Sequence, residues 1–199
     1  MSQSRIAIVV LAAGTSSRMG SPKQLIEVEG QTLIHRTVRT ALASLAASVV
    51  VTTSDNGVDF EAELHGQQWT RALVENPQLG QSQSIKAGLA TAESLDNIDA
   101  VLFTPCDLPL LSTSHLNDLI TTYQSGLWKI VTSCYDDVLG APLIVARELW
   151  PELHALEGDV GARKILPLHR QSTTSIPWQQ GQFDLDTPAD VTKYTQRKF

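Results

Sequence analysis

Cysteine is nearly absent. Cys106 and Cys134 are the only two in 199 residues, and their spacing matches neither a paired metal knuckle nor a disulfide framework. Both stand in apolar segments and are expected to be buried, inert thiols. No apolar run approaches the roughly 20 residues that a membrane-spanning helix needs, so no membrane association is expected. Residues 1–5 lack the basic start, long apolar stretch and small-residue cleavage site of a secretory signal, so the expected location is cytoplasmic. Positive charge is also in short supply: the formal net charge is -6 and the pI is near 5.3. That balance opposes nucleic-acid binding, which needs a basic face to displace counterions. The five histidines, His35, His65, His115, His154 and His169, have no partner at metal or triad spacing and are assigned no chemistry. The four tryptophans at 69, 128, 150 and 178 form no stripe and read as core or rim packing. No repeat, linker or low-complexity tract occurs, and the length suits one α/β core, so a single domain over 1–199 is expected.

What is present alternates. Residues 6–12 are continuously apolar, as expected of a parallel strand covered on both faces, and read as the central strand. A Gly- and Ser-rich loop follows, then a short extended piece at 25–28 ending in a turn at Glu29 and Gly30. Thr32 is placed to cap a helix whose apolar positions are Leu33, Ile34, Val38, Leu42 and Leu45. Further strands are expected at 49–53, 72–74, 100–104, 130–133 and 143–145, and helices at 58–64, 84–92, 115–123 and 160–169. Residues 172–177 are extended in character, and Pro188 opens a last helix through Tyr194. The rhythm is that of the α/β class, where ligands bind beyond the carboxyl ends of the strands.

The loop after the first strand carries the clearest chemistry. In Leu11, Ala12, Ala13, Gly14 and onward to Lys23, the glycines Gly14 and Gly20 let backbone amides face an anion. Arg18 adds a fork of donors suited to phosphate, and Lys23 a mobile point charge. Lys23 comes three residues after Gly20, which fails the Walker spacing, and no second glycine follows Gly14 in the dinucleotide-binding pattern. A nicotinamide-dependent oxidoreductase is disfavoured for the same reason. Asp107 follows the apolar run at 100–104 and so stands at a strand's carboxyl end, facing the ligand crevice. One such acid is enough to start a magnesium site completed by waters and phosphates; the alternative is a loop or helix-capping role. Ser82 and Ser84, in the turn 76–84, either cap a helix or meet a pyrimidine edge. Asp184 and Asp186 face the same side of an extended segment, and one of them is free to cap the helix that Pro188 opens.

The string LAAGTSSRMGSPKQL resembles the signature loop of the nucleotidyltransferases that act on sugar phosphates, methylerythritol phosphate and molybdopterin. Asp107 with its following Pro109 resembles that family's metal-ligand segment, and Asp184 to Pro188 its Asp-x-Asp-Thr-Pro segment. Gly80, Ser82 and Ser84 resemble its nucleotide-binding turn. The segments Gly158 to Arg163 and Gly140 to Pro142 resemble loops of the molybdopterin cytidylyltransferase branch. There Asp159 would cap a helix starting near Val160, and the helix amides with Arg163 would take an acceptor phosphate; Arg163 reads equally as a solvated helix residue.

The resemblance implies a three-layer α/β/α, Rossmann-like fold with a predominantly parallel mixed sheet. It also implies attack by an acceptor phosphate oxygen on the α-phosphorus of a magnesium-bound NTP. Arg18 and Lys23 would stabilise charge. Leu11, Ala12, Ala13, Gly14, Lys23, Gly80, Ser82, Ser84 and Asp107 would bind the nucleotide. Mg2+ would be held by Asp107 and Asp186, with Asp184 the less favoured choice. Gly140, Pro142, Asp159 and Arg163 would bind the acceptor. Ala13, where the guanylyltransferase branch usually has a glycine, favours CTP over GTP, with molybdopterin as acceptor and a molybdenum hydroxylase or its chaperone as protein partner. The alternatives are a guanylyltransferase, a transferase for another small phosphate, and a non-catalytic accessory protein for molybdenum hydroxylases.

Overall fold

The computed structural model describes residues 3–14 and 21–196. Strand β1 (Ile6–Leu11) lies inside the sheet, third of its seven strands among the described residues, as its two apolar faces require. Ile6, Ile8 and Val10 alternate to one side and Ala7 and Val9 to the other, and each is at most 1% exposed. The next elements are a short hairpin, β2 (Glu27–Val28) and β3 (Gln31–Thr32), and helix α1 (Leu33–Leu42). As the sequence suggests, the Thr32 side chain caps α1 by accepting from the His35 amide. There follow β4 (Ser48–Thr53), α2 (Phe60–Glu63), β5 (Thr70–Leu73), α3 (Gln81–Glu93), β6 (Ala100–Pro105) and α4 (Thr113–Gln124). The chain continues through β7 (Ile130–Tyr135), β8 (Val138–Ala146), α5 (Trp150–His154), β9 (Thr173–Pro177) and α6 (Pro188–Gln196).

The main sheet has the order β5-β4-β1-β6-β8-β7-β9. Every neighbouring pair is parallel except those made by β8, which runs against both β6 and β7. On one face, Ile8 and Val10 pack with Ile34 and Val38 of α1, Phe60 of α2, and Leu116 and Ile120 of α4. On the other, Val9 packs with Ile85 and Leu89 of α3, Trp150 and Leu153 of α5, and Ile165. This is the expected three-layer α/β/α, mostly parallel arrangement. Among the described residues no helix is long and apolar enough to cross a membrane.

Three local expectations need correction. Residues 160–169 do not form an α-helix: Ala162–Leu168 is a run of 3-10 turns. Pro167 lies inside it, lacking an amide hydrogen and crowding the carbonyl four residues back. Residues 140–142 are not a loop but part of β8, which begins at Val138 after a two-residue turn. Asp136 and Asp137, both at positive φ (47° and 61°), make that turn. Opposite Thr132 and Ser133 the register slips, so Ala141 and Pro142 fall in a bulge, where a strand tolerates proline. Helix α5 is too short for apolar spacing to reveal it. Cys106 is buried as expected, but Cys134 is only half-buried, because it pairs with Leu139 near the turn end of the β7–β8 hairpin.

Candidate active site

The carboxyl ends of β1 and β6 open on a cavity of about 670 Å³, where the strand order of an α/β sheet favours a ligand site. At the end of β1 the carbonyls turn inward. Gln24, completely buried, donates from Nε2 to the carbonyls of Ala12 (2.6 Å) and Gly14 (2.9 Å). Asn56 Nδ2 reaches the same two oxygens at 3.2 Å each, and Ser54 Oγ donates to Ala13 O at 2.8 Å. A turn whose acceptor oxygens are all held from within presents little negative charge to the cavity, which is what an anion requires. Gly14 lines the cavity, and a Cβ built there would meet nothing within 4 Å among the described residues. Leu11 and Ala13 also line it, whereas Ala12 is turned into the protein, its amide donating to Thr52 Oγ1 at 3.0 Å. Arg18 and Gly20 lie outside the described residues.

Lys23 opens a single 3-10 turn and sends its ammonium between Asp107, just past the end of β6, and Asp186, in the segment before α6. Nζ donates to Asp107 Oδ2 in a short contact and to Asp186 Oδ1 at 3.1 Å. Burial opposes the charge on Lys23, but the Asp107 carboxylate, aided by Asp186, outweighs it and holds the ammonium above the ordinary lysine range. Asp107 is 7% exposed. Its place is tied to the C-terminal segment by Leu185, whose amide donates to Asp107 O at 3.1 Å. Leu185 itself is buried against Val28 and Leu33, so Asp184 and Asp186 on either side of it both reach the cavity. Loss of hydration, and then the neighbouring Asp186 and Asp107 charges, raise the Asp184 carboxyl above its usual range. Neither Asp184 nor Asp107 caps a helix: Ser112 caps α4, and Asp190 accepts from the Thr187 amide and hydroxyl ahead of α6.

The donor set suits a hard divalent cation, since Asp107 and Asp186 meet at the Lys23 ammonium and Asp184 lines the same cavity. Among the described residues no cluster of three or more His, Cys, Asp or Glu forms a metal cage by itself. A magnesium-type ion seldom uses such a cage; it takes one or two carboxylates and completes its shell with water and substrate phosphates. Cys106, fully buried beside Asp107, has its thiol pushed up to about 12 by burial and then by the Asp107 charge, so it stays protonated and is no nucleophile.

The start of α3 forms another wall. Gly80, at φ +100°, lines the cavity with Ser84. A Cβ at Gly80 would come within 2.4 Å of the Gly158 carbonyl carbon, so the segment 158–161 rests directly on this turn. Asp159 does not cap a helix at Val160: its Oδ1 accepts from the Gln81 amide at 3.3 Å, capping α3 instead. Ser82, expected to meet a nucleotide, is wholly buried, its hydroxyl without a partner among the described residues, and does not line the cavity.

Gly140, Asp159 and Arg163 also line the cavity, but Pro142 does not. Pro142 is buried, and its carbonyl accepts from Ser133 Oγ at 2.8 Å. Ser133 Oγ lies 2.7 Å from His115 Nε2, and since its one proton goes to Pro142, the imidazole donates from Nε2. His115 stacks on Trp178 with ring centroids 4.5 Å apart. Burial lowers the His115 pKa to about 4, against a weaker upward pull from Asp118. Because the folded value lies below the ordinary 6.5, stability is present above pH 6.5 and drains away as pH falls toward 4. In urea titrations the wild type should therefore lose more stability between pH 7 and pH 5 than His115→Gln; equal losses would refute the assignment. Among the cavity residues to which the sequence gives no role are Gln24 and Tyr135. Gln24 lies within the signature string but carries no chemistry-bearing group there, and Tyr135 lies in no motif at all.

A strand-end turn and an acid pair joined by a lysine, opening on one cavity of a doubly wound sheet, define a phosphate-handling enzyme of the α/β class. The chain belongs to the MobA-like NTP transferase domain family, whose model matches residues 8–174, and is thus a nucleotidyltransferase. It is 27% identical over 192 residues to the purine catabolism protein PucB of Bacillus subtilis (strain 168), covering 92% of each chain. With the bifunctional protein GlmU of Azorhizobium caulinodans it shares 32% identity over 129 residues, 63% of this chain but only 28% of the GlmU length. The crystal structure of an rv0371c homolog from Mycobacterium sp. strain JC1 matches with a TM-score of 0.84 at 26% identity, over 97% of this chain and 96% of that one. Two more distant structures share the fold. They are the manganese complex of Rv0371C from Mycobacterium tuberculosis H37Rv (TM-score 0.78, 22% identity, 96% and 97% covered) and molybdopterin-guanine dinucleotide biosynthesis protein A from Archaeoglobus fulgidus (0.68, 16%, 97% of each).

Proposed function

We propose that this nucleotidyltransferase moves CMP from CTP to the phosphate of molybdopterin and releases pyrophosphate. The observation that carries this reading is the Lys23 ammonium held between Asp107 and Asp186 at the mouth of the Gly14 turn. An oxygen of the acceptor phosphate attacks the α-phosphorus. The new P–O bond forms as the bond to the α,β-bridging oxygen breaks, and its electron pair leaves with pyrophosphate. The acceptor phosphate is already ionised, so the protein supplies no general base; its work is alignment and charge stabilisation. In this reading Leu11, Ala13 and Gly14 border the triphosphate, Ala12 pins the turn behind them, and Lys23 and Arg18 offset its charge. Asp107 and Asp186, with Asp184 beside them, would hold a divalent cation, Mg2+ here, which when bound supplies further neutralisation of phosphate charge. The manganese complex of Rv0371C, a protein of the same fold, supports a divalent ion.

Gly80 and Ser84 border the base, Gly140 and Arg163 face the acceptor, and Asp159, Ser82 and Pro142 act by positioning. Asp159 does so through the α3 cap and Pro142 through the Ser133 hydrogen bond. Ala13 in the turn and the 158–163 segment favour CTP as donor, and the product would pass to a molybdenum hydroxylase or its chaperone. The test is to incubate the purified protein with Mg2+, molybdopterin and each NTP in turn and to weigh the product. Molybdopterin cytosine dinucleotide is the expected mass. A guanine dinucleotide would overturn the choice of base, and no dinucleotide from any NTP would overturn the acceptor.

A further inference from the structure

We propose that Tyr135 is a specificity-determining residue of this enzyme, its phenol donating a hydrogen bond to the acceptor's phosphate beside Arg163. The inference rests on the nucleotidyl-transfer reading of the cavity and adds a residue that no motif in the sequence marks.

Tyr135 is the last residue of β7, and its half-buried side chain lines the cavity on the same side as Arg163 and Gly140. Two glycines leave room for its ring. A Cβ at Gly140 would lie 2.4 Å from the Tyr135 hydroxyl oxygen and 3.1 Å from Cζ. A Cβ at Gly181 would lie 2.5 Å from Tyr135 Cδ1 and 2.6 Å from Trp178 Cε3. Side chains essentially never pack this closely, so both positions are closed to any larger residue while the ring stays where it is. Trp178, which is buried and stacked on His115, crowds that same Gly181 position beside the Tyr135 ring. The ring is thus wedged between two backbone segments that come from β8 and from the turn before Phe183.

Wedging fixes the hydroxyl. Among the described residues nothing donates to it or accepts from it, although it sits at the wall of a polar cavity. Burial raises its pKa, the nearby Arg163 charge pulls it down, and Asp184 and Asp107 push it up again. The net direction keeps the phenol protonated at neutral pH. A neutral donor with no acceptor among the described residues, lining the same cavity as Arg163 at the end of a strand separated from β1 by β6 and β8, fits one ligand chemistry best. That chemistry is a phosphate monoester whose oxygens take one hydrogen bond from the phenol and a charge-assisted one from Arg163. The exposed ring edge then borders the body of the acceptor. The nucleotide has its own donors on the β1 and α3 walls, so Tyr135 should separate acceptor affinity from nucleotide affinity.

The experiment uses Tyr135→Phe, which deletes the hydroxyl and keeps the ring, so the wedge and the fold should survive. Inorganic phosphate is titrated by calorimetry into protein saturated with a non-hydrolysable CTP analogue and Mg2+, so that the triphosphate positions are already filled. The wild type should bind phosphate, and Tyr135→Phe should bind it about tenfold more weakly, the usual effect of losing a hydrogen bond to a charged group, with CTP-analogue affinity within about twofold of wild type. In turnover with molybdopterin the acceptor KM should rise by a similar factor while kcat and the CTP KM hold. The proposal is overturned if the wild type binds no phosphate, if the variant binds it as tightly as the wild type, or if nucleotide affinity falls in step. A phosphate site that depends on Tyr135 in a protein that forms no dinucleotide would support the residue assignment and overturn only the choice of molybdopterin.

Discussion

Changing Asp107 to alanine is expected to lower kcat/KM by about 1,000-fold, equivalent to about 4 kcal/mol of transition-state stabilisation, with the fold retained. The carboxylate is 7% exposed and faces the cavity, where it holds the Lys23 ammonium and, in the proposed reaction, a divalent cation. Both positive groups lose their shared anchor at once. The backbone is not compromised, since the link from the Leu185 amide to the Asp107 carbonyl does not involve the side chain. Nor should Lys23 destabilise the variant much: its side chain is 21% accessible and it keeps Asp186 at 3.1 Å. A partly solvated pair of this kind is worth only about 1 kcal/mol. Pyrophosphate release in the presence of Mg2+ or Mn2+, measured beside a thermal melt, separates the two effects. Activity within tenfold of wild type would remove Asp107 from the chemistry.

Changing Lys23 to methionine should cost about 100- to 1,000-fold in kcat/KM, the range seen when one preorganised positive or hydrogen-bonding group is removed from a developing charge. Methionine keeps much of the unbranched stem and loses only the ammonium. The variant should also be less stable at neutral pH, because Asp107 is left buried with its Lys23 partner gone. Arginine should restore charge without restoring rate. A planar guanidinium cannot take the bridging position between Asp107 Oδ2 and Asp186 Oδ1 that a compact ammonium fills. Steady-state rates for the two variants at saturating Mg2+ check this. A Lys23→Arg enzyme as fast as wild type would show that charge alone matters there.

These residues differ in how far they could be read from the chain itself. The apolar run at 6–12 announces β1 because burial on both faces leaves no polar alternation, and the loop that follows is legible from its glycines and basic residues. The acids at 184 and 186 are legible from their period of two, which holds because Leu185 between them is buried. Asp159 was harder. Its place before an apparent helix suggests a local cap, yet Pro167 prevents that helix, and the carboxylate serves α3 some 78 residues away in sequence. Ser82 illustrates a related difficulty, for the turn it occupies lines the cavity while its own side chain points into the core. Tyr135 depends on Gly140 and Gly181, which come together only after β7, β8 and the turn before Phe183 have folded.

The central claim is that one cavity brings a triphosphate, gripped by the turn after β1, to a cation held at the end of β6. The most direct test is anomalous diffraction from crystals grown with Mn2+ and a non-hydrolysable CTP analogue. The expected result is a manganese peak within about 2.3 Å of an Asp107 carboxylate oxygen, coordinated by the analogue's phosphates, with the Lys23 ammonium turned toward those phosphates. A nucleotide bound elsewhere, or a manganese peak remote from Asp107, would contradict the account.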